Sequence, residues 1–341
     1  VTSPPEPRVD LVFEGGGVKG IALAGAFAEI ARRGFEPQCV AGTSAGAITA
    51  ALVAAGYTGE ELVQLVTRDM HFQSFADRPR LHELGALGEA IEVAKHRGIH
   101  SGDYFLGWMR ERLAAKGIHR FGDLRDPDAS QENRSYRLQV IASDVSDHSM
   151  LVLPRDAHRL GIEADELGVA EAVRMSMSIP IFFVPVMHTN PHSGHVHMIV
   201  DGGLLSNFPV WLFDCPGEAP PRFPTFGVAL IAPASVNPLG GVEPESQADA
   251  AVEPPSFVGY VKALAQTALE AHDRFFIEEQ NFARTIPVPT LGVHTTDFGI
   301  TPDRADALAA AGTQAAARFL DSWDFDAYIR RYRSPTLAPA S

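Results

Sequence analysis

Gly42-Thr43-Ser44-Ala45-Gly46 is the stretch whose residue types and spacing most clearly admit chemistry in this chain. It follows the apolar Val40-Ala41 and precedes a helix-compatible run, 47–55, that stops at Gly56. Strand, sharp turn, helix is the setting in which Gly-x-Ser-x-Gly forms a nucleophile elbow. Gly42 and Gly46 remove Cβ atoms where the backbone must turn, and Ser44 is raised at a helix N-terminus. The positive end of the helix dipole there favours the anion that develops in acyl transfer. A structural turn of small residues would use the same composition, so the setting carries the reading more than the pentapeptide does.

A nucleophile needs a place for the oxyanion. Gly15-Gly16-Gly17-Val18-Lys19-Gly20 follows a predicted strand, 9–13, and opens a predicted helix, 21–33, closed by Gly34. Consecutive N–H groups in such a loop make an anion-sized nest, and Gly15, Gly16, Gly17 and Val18 are candidate oxyanion donors. Gly15, Gly17 and Gly20 also satisfy the dinucleotide fingerprint, with Glu36 near the expected acidic offset. A Rossmann-like nucleotide-binding module would, however, place that acid at the end of the second strand, where this chain has Gly42-Thr43-Ser44. No Gly-Lys-Ser/Thr follows, which excludes a P-loop. If the first two strands are parallel, the glycine loop and Ser44 meet at one sheet edge.

The general base has two candidates. Asp201 ends a predicted strand, 196–200, and is followed by Gly202-Gly203, which allow close backbone approach. The bland alternative is a turn aspartate that bonds its own backbone. His294, after a late predicted strand at 288–293, would instead complete a Ser–Asp–His site of the α/β-hydrolase type. His188, His192, His195 and His197 fall within ten residues, but with no Cys and no adjacent Glu they read as polar hairpin residues; no metal is expected.

The elements that must position these residues alternate. Further helices are predicted from the capping box Thr58-Gly59-Glu60-Glu61 to about Arg68, after Ser101, at 169–177, at 256–282 and from Thr301-Pro302. Further strands are predicted at 136–143, 150–153 and 226–231. Phe72, Phe75, Leu81, Leu84 and Leu87 form apolar cover that is equally a lid or packing. The pattern implies an α/β three-layer sandwich with a mostly parallel central sheet. A lead-in at 1–8, a catalytic core at 9–231, a Pro-, Gly- and acid-rich loop at 232–255, the remainder of the same domain at 256–333 and a tail at 334–341 are expected.

Composition narrows the partners. The 341 residues are 45% hydrophobic, with a formal net charge of −14, which disfavours nucleic acid and gives no general attraction to anionic bilayers. No apolar run is long enough for a membrane span. The expected location is cytoplasmic or peripheral at a membrane; a first residue other than Met leaves a removed targeting segment, and so secretion, open. Two cysteines, Cys39 and Cys215, make no disulfide framework.

In this order, the glycine loop, Gly42-Thr43-Ser44-Ala45-Gly46 and Asp201-Gly202-Gly203 resemble the patatin-like phospholipases. Lesser matches are Phe121-Gly122-Asp123-Leu124, 172–180 with Phe183 and Pro185, and Asn207-Phe208-Pro209-Val210. The resemblance covers about 9–231. It implies a Ser44–Asp201 dyad, oxyanion donors in the glycine loop, no cofactor, and hydrolysis of lipid acyl esters at a transient membrane or micelle surface. Gly20, Gly42, Gly46, Gly202 and Gly203 support the motifs. Lys19 stands where many members carry Arg, keeping the charge without the planar fork.

Overall fold

A computed structural model describes residues 7–75, 97–127, 129, 131–214, 221–231 and 279–333. The strands are β1 (Arg8–Phe13), β2 (Glu36–Thr43), β3 (Gly98–His100), β4 (Leu138–Asp144), β5 (Ser149–Leu153), β6 (Ile181–Phe183), β7 (Val186–Thr189), β8 (Val196–Asp201), β9 (Thr225–Ile231) and β10 (Thr285–Pro289). The main helices are α1 (Ile21–Arg32), α2 (Ala45–Ala54), α3 (Gly59–Gln64), α4 (Asp103–Ala114), α5 (Val169–Ser176), α6 (Pro302–Ser322) and α7 (Phe325–Tyr332).

Eight strands form one sheet in the order β10-β9-β1-β2-β4-β8-β7, with β5 paired to β4; β3 and β6 pair separately. The pairs from β10 to β4 are parallel, whereas β5, β8 and β7 are antiparallel to their neighbours. The sheet is thus mostly parallel with an antiparallel flank. Strand alternation sends Val9, Leu11 and Phe13 to one core and Val12 to the other. Helices α1, α2 and α6 cover the first face, where Thr313 Oγ1 of α6 donates to the Gly25 carbonyl of α1 at 3.1 Å. Phe208, Val210, Leu212 and Phe213, from the irregular segment after Asp201, cover the second.

Most predicted elements form within two residues of their expected ends. The late strand does not: it runs Thr285–Pro289 rather than 288–293, and Leu291 at φ 53° lies in the following turn. The helix after the capping box widens along its length: Gly59–Gln64 is α-helical and Leu65–Asp69 makes a π turn. The proposed apolar cover divides. Phe75 is buried against Phe105 and Trp108, so it is core. Leu81, Leu84, Leu87, Cys215, the loop at 232–255 and most of the helix predicted at 256–282 lie outside the described residues. Among those described, no helix is long and apolar enough to cross a membrane.

Candidate active site

Ser44 is the single residue between the last position of β2 and the first of α2, with φ 53° and ψ −121°. A non-glycine residue in the left-handed region is strained, and such strain persists only where neighbours enforce it. The neighbours here are close. A Cβ on Gly42 would collide with the backbone of Gly46, and one on Gly46 would collide with the Phe13 carbonyl at the end of β1. The two glycines of the motif are therefore required by backbone approach.

Strands β2, β4 and β8 bring Asp201 to Ser44. Thr43 of β2 lies opposite Ile141 of β4, and the next β4 residue, Ala142, lies opposite Asp201 of β8. β5 occupies the other edge of β4 over 140–144, so β2 and β8 follow one another along the same edge, and Ser44 and Asp201 meet where the two strand ends abut. The two are tied to one more element, the end of α5. Ser176 Oγ accepts the Ser44 N–H at 2.9 Å and donates to the Ile141 carbonyl, and the Ser178 carbonyl accepts the Asp201 N–H at 2.9 Å. Arg174, buried on α5, holds this terminus by donating to Ser178 Oγ, to the Ser101 carbonyl at 2.6 Å and to the Val184 carbonyl at 2.9 Å.

Asp201 is 1% exposed. Its Oδ1 accepts the Gly203 N–H at 2.8 Å, so it is also the turn aspartate that the sequence allowed. Burial pushes its carboxyl up to about 7; the Ser44 hydroxyl and the Gly203 N–H act in the opposite direction. Oδ2 is buried without a well-formed hydrogen bond. The site therefore holds a carboxyl beside a serine hydroxyl, with a proton affinity suited to neutral pH.

The glycine loop divides its N–H groups. Gly15 donates to the Asn207 carbonyl at 3.0 Å and Val18 to the Thr295 carbonyl at 3.1 Å, so these two of the four expected donors are already engaged. Lys19 N–H turns back to the Gly16 carbonyl at 3.2 Å. Among the described residues the N–H groups of Gly16 and Gly17 have no partner, and Gly17 reaches that geometry at φ 55°. Asn207 clamps the loop from its far side, donating from Nδ2 to the Gly15 carbonyl and to Glu14 Oε1, each at 3.2 Å. Glu14 in turn accepts the Leu230 N–H of β9.

The other candidates occupy lesser places. Gly20 caps α1, and Gly202 and Gly203 form the turn after β8. Lys19 is half-buried along the loop. His294 is exposed, and among the described residues it makes no hydrogen bond to Ser44 or Asp201. Cys39 is buried beside Asp10, and burial pushes its thiol up to about 12, far from a reactive thiolate. Sequence reasoning missed the roles of Ser176, Asn207 and Thr295. The first two lie in motifs already noted, yet only their contacts reveal what they hold; Thr295 acts through its carbonyl, which leaves no side-chain signal.

The pattern of the patatin-like phospholipase family matches residues 11–214 of this chain. The uncharacterized protein YqhO of Bacillus subtilis (strain 168) is 37% identical over 318 residues, covering 93% of this chain and 99% of YqhO. The uncharacterized protein R571 of Acanthamoeba polyphaga mimivirus is 24% identical over 216 residues, 60% of this chain and 61% of R571. Among solved structures, VipD from Legionella pneumophila matches with a TM-score of 0.48 at 18% identity, over 94% of this chain and 68% of that one.

Proposed function

We propose that this chain, which belongs to the patatin-like phospholipase family, is a serine hydrolase of lipid acyl esters, of phospholipase A or lysophospholipase type, working through Ser44 and Asp201. The observation that carries the reading is the buried Asp201 carboxyl, pushed up to about 7, beside a serine held at positive φ on a helix N-terminus. As carboxylate, Asp201 accepts the Ser44 proton while Oγ attacks the ester carbonyl. The Gly16 and Gly17 N–H groups, which have no other partner among the described residues, receive the oxyanion. Asp201 then gives the proton to the departing alkoxide, leaving an acyl-Ser44. Water, losing a proton to Asp201, attacks that ester; collapse releases the fatty acid and returns the proton to Ser44 Oγ.

The substrate in this reading is a glycerolipid acyl ester met at a membrane or micelle surface. The net charge of −14 makes that contact apolar rather than electrostatic. Leu205, four residues beyond Asp201, and Leu291, four residues before Thr295, are exposed apolar side chains on the segments that border the site. Two measurements test the proposal. A fluorophosphonate should label wild type and not Ser44→Ala; equal labelling of both would end the nucleophile assignment. Hydrolysis of one phospholipid should rise above its aggregation concentration; a rate that saturates below it, or a clear preference for a short nitrophenyl ester, would refute the interfacial part alone.

A further inference from the structure

The loop after β10 packs on the glycine loop and then lines a cavity. The Thr295 carbonyl accepts the Val18 N–H at 3.1 Å and stands 2.1 Å from where a Cβ on Gly17 would be. Three residues on, the Phe298 ring stacks on Phe182 at 4.7 Å between centroids. Phe182 follows by four residues Ser178, whose carbonyl holds the Asp201 N–H. The two stacked rings thus belong to the segments that fix the glycine loop and Asp201. Phe298 also borders a cavity of about 250 Å³ between the π turn Leu65–Asp69, the short helix Phe72–Phe75 and the start of α6. Val66, Met70, Phe72, Phe298, Ile300 and Ala305 give it apolar walls. Arg68, an exposed residue of the same lining, pairs with Asp306 of α6 at 2.7 Å. Since β10, β9, β1 and β2 are parallel, the cavity opens beyond the same carboxyl ends as Ser44, where open α/β sheets take their ligands.

We propose that this groove is an acyl-chain subsite: the chain of the ester that Ser44 attacks runs past Phe182 and Phe298 and lies against Val66, Met70, Ile300 and Ala305. The inference rests on the Ser44–Asp201 reading and adds to it the choice of acyl chain. At about 250 Å³ the groove falls just below the about 300–1,000 Å³ of pockets that enclose a whole small molecule, so it suits one chain and leaves the headgroup outside. A plain gap in the core is the alternative, but its walls would be fully buried, whereas Phe72, Phe298 and Ile300 stay partly accessible. An apolar chain takes water off those side chains and needs no polar partner there. The π turn supports a ligand role as well. Its Met70 N–H reaches back five residues to the Leu65 carbonyl at 2.8 Å, widening the helix where Val66 and Met70 face the groove, and such turns recur at functional sites. Ala305, 3% exposed on α6, keeps the facing wall low by having a small side chain.

The test is calorimetric titration of the full chain with hexanoate and decanoate, beside kcat/KM on nitrophenyl butyrate and octanoate below their aggregation concentrations. Decanoate should bind one per chain and roughly tenfold or more tighter than hexanoate, since each fully buried methylene contributes about fourfold. By the same argument kcat/KM should rise roughly tenfold or more from butyrate to octanoate. Ala305→Phe fills the groove from α6, and Ile300→Asn makes its wall polar. Each should lower decanoate affinity and the octanoate-to-butyrate ratio by roughly fivefold or more. Ile300 is half-buried on a loop, so its variant keeps the test decisive should Ala305→Phe fail to fold. Phe282→Ala, on an exposed apolar residue just before the opposite end of β10, should change neither quantity. Equal affinity for the two acids, or wild-type ratios in every folded groove variant, would overturn the subsite and leave the Ser44–Asp201 reading standing. Chain-length-dependent binding without any ester turnover would keep the groove and remove that reading.

Discussion

Ser176 Oγ accepts a hydrogen bond from the backbone N–H of Ser44 at 2.9 Å. The same hydroxyl donates to the Ile141 carbonyl on β4, so one side chain joins the strained Ser44 turn to the strand that pairs with both β2 and β8. Ser176→Ala leaves a buried donor and a buried acceptor unpaired, at about 1–3 kcal/mol each. The expected result is a lower Tm and kcat reduced roughly tenfold or more with KM little changed, since the substrate site is kept while Ser44 loses its restraint. Steady-state kinetics beside a thermal melt measure both; unchanged kcat in a folded variant would reduce Ser176 to packing.

Ser44→Ala and Asp201→Asn are each expected to abolish ester hydrolysis in a protein that stays folded. Groups acting as one unit lose several decades when either is removed, roughly 10³ or more in kcat. Near-normal turnover by folded Asp201→Asn would remove the dyad from consideration.

Activity should follow the ionisation of Asp201. The base must be a carboxylate, so kcat/KM should fall about tenfold per pH unit below about 7 and level off above it. Stability should run the other way. The folded carboxyl sits above its unfolded value of 3.8, so the folded chain binds a proton that the unfolded chain releases between that pH and about 7. The stability this proton contributes is complete below about 4 and lost as pH rises through about 7. Asp201→Asn, neutral throughout, should therefore melt higher than wild type at pH 8, by several degrees, with a smaller difference at pH 5. Melting curves of both proteins at the two pH values decide it, and an Asn variant less stable at pH 8 would contradict the burial argument.

His294→Ala should keep turnover within about threefold of wild type. The residue is exposed, and its backbone N–H is held by Asp297 Oδ2 at 2.8 Å on the loop that also supplies the Thr295 carbonyl to Val18. A hundredfold loss without unfolding would restore a three-residue site.

The local parts of this protein were legible in one dimension. Strand, elbow and helix around Ser44 follow from apolar runs interrupted by glycines, because turn geometry depends on residues adjacent in sequence. The alternating helices and strands, and therefore the α/β class, follow from hydrophobic periodicity. Pairing between distant segments decided the rest. β8 runs antiparallel to β4, and Asp201 reaches the level of Ser44 only because β4 extends three residues past the end of β2. No local pattern encodes that register. The same limit governs the glycine loop, where four N–H groups look equivalent in sequence. Contacts with Asn207 and Thr295, more than 190 residues away, engage Gly15 and Val18 and leave Gly16 and Gly17. Asp201 shows the physical reason most plainly: its residue type permits a base or a turn, and only its complete burial in the tertiary structure raises its carboxyl to about 7 while Oδ1 keeps the Gly203 N–H of the turn.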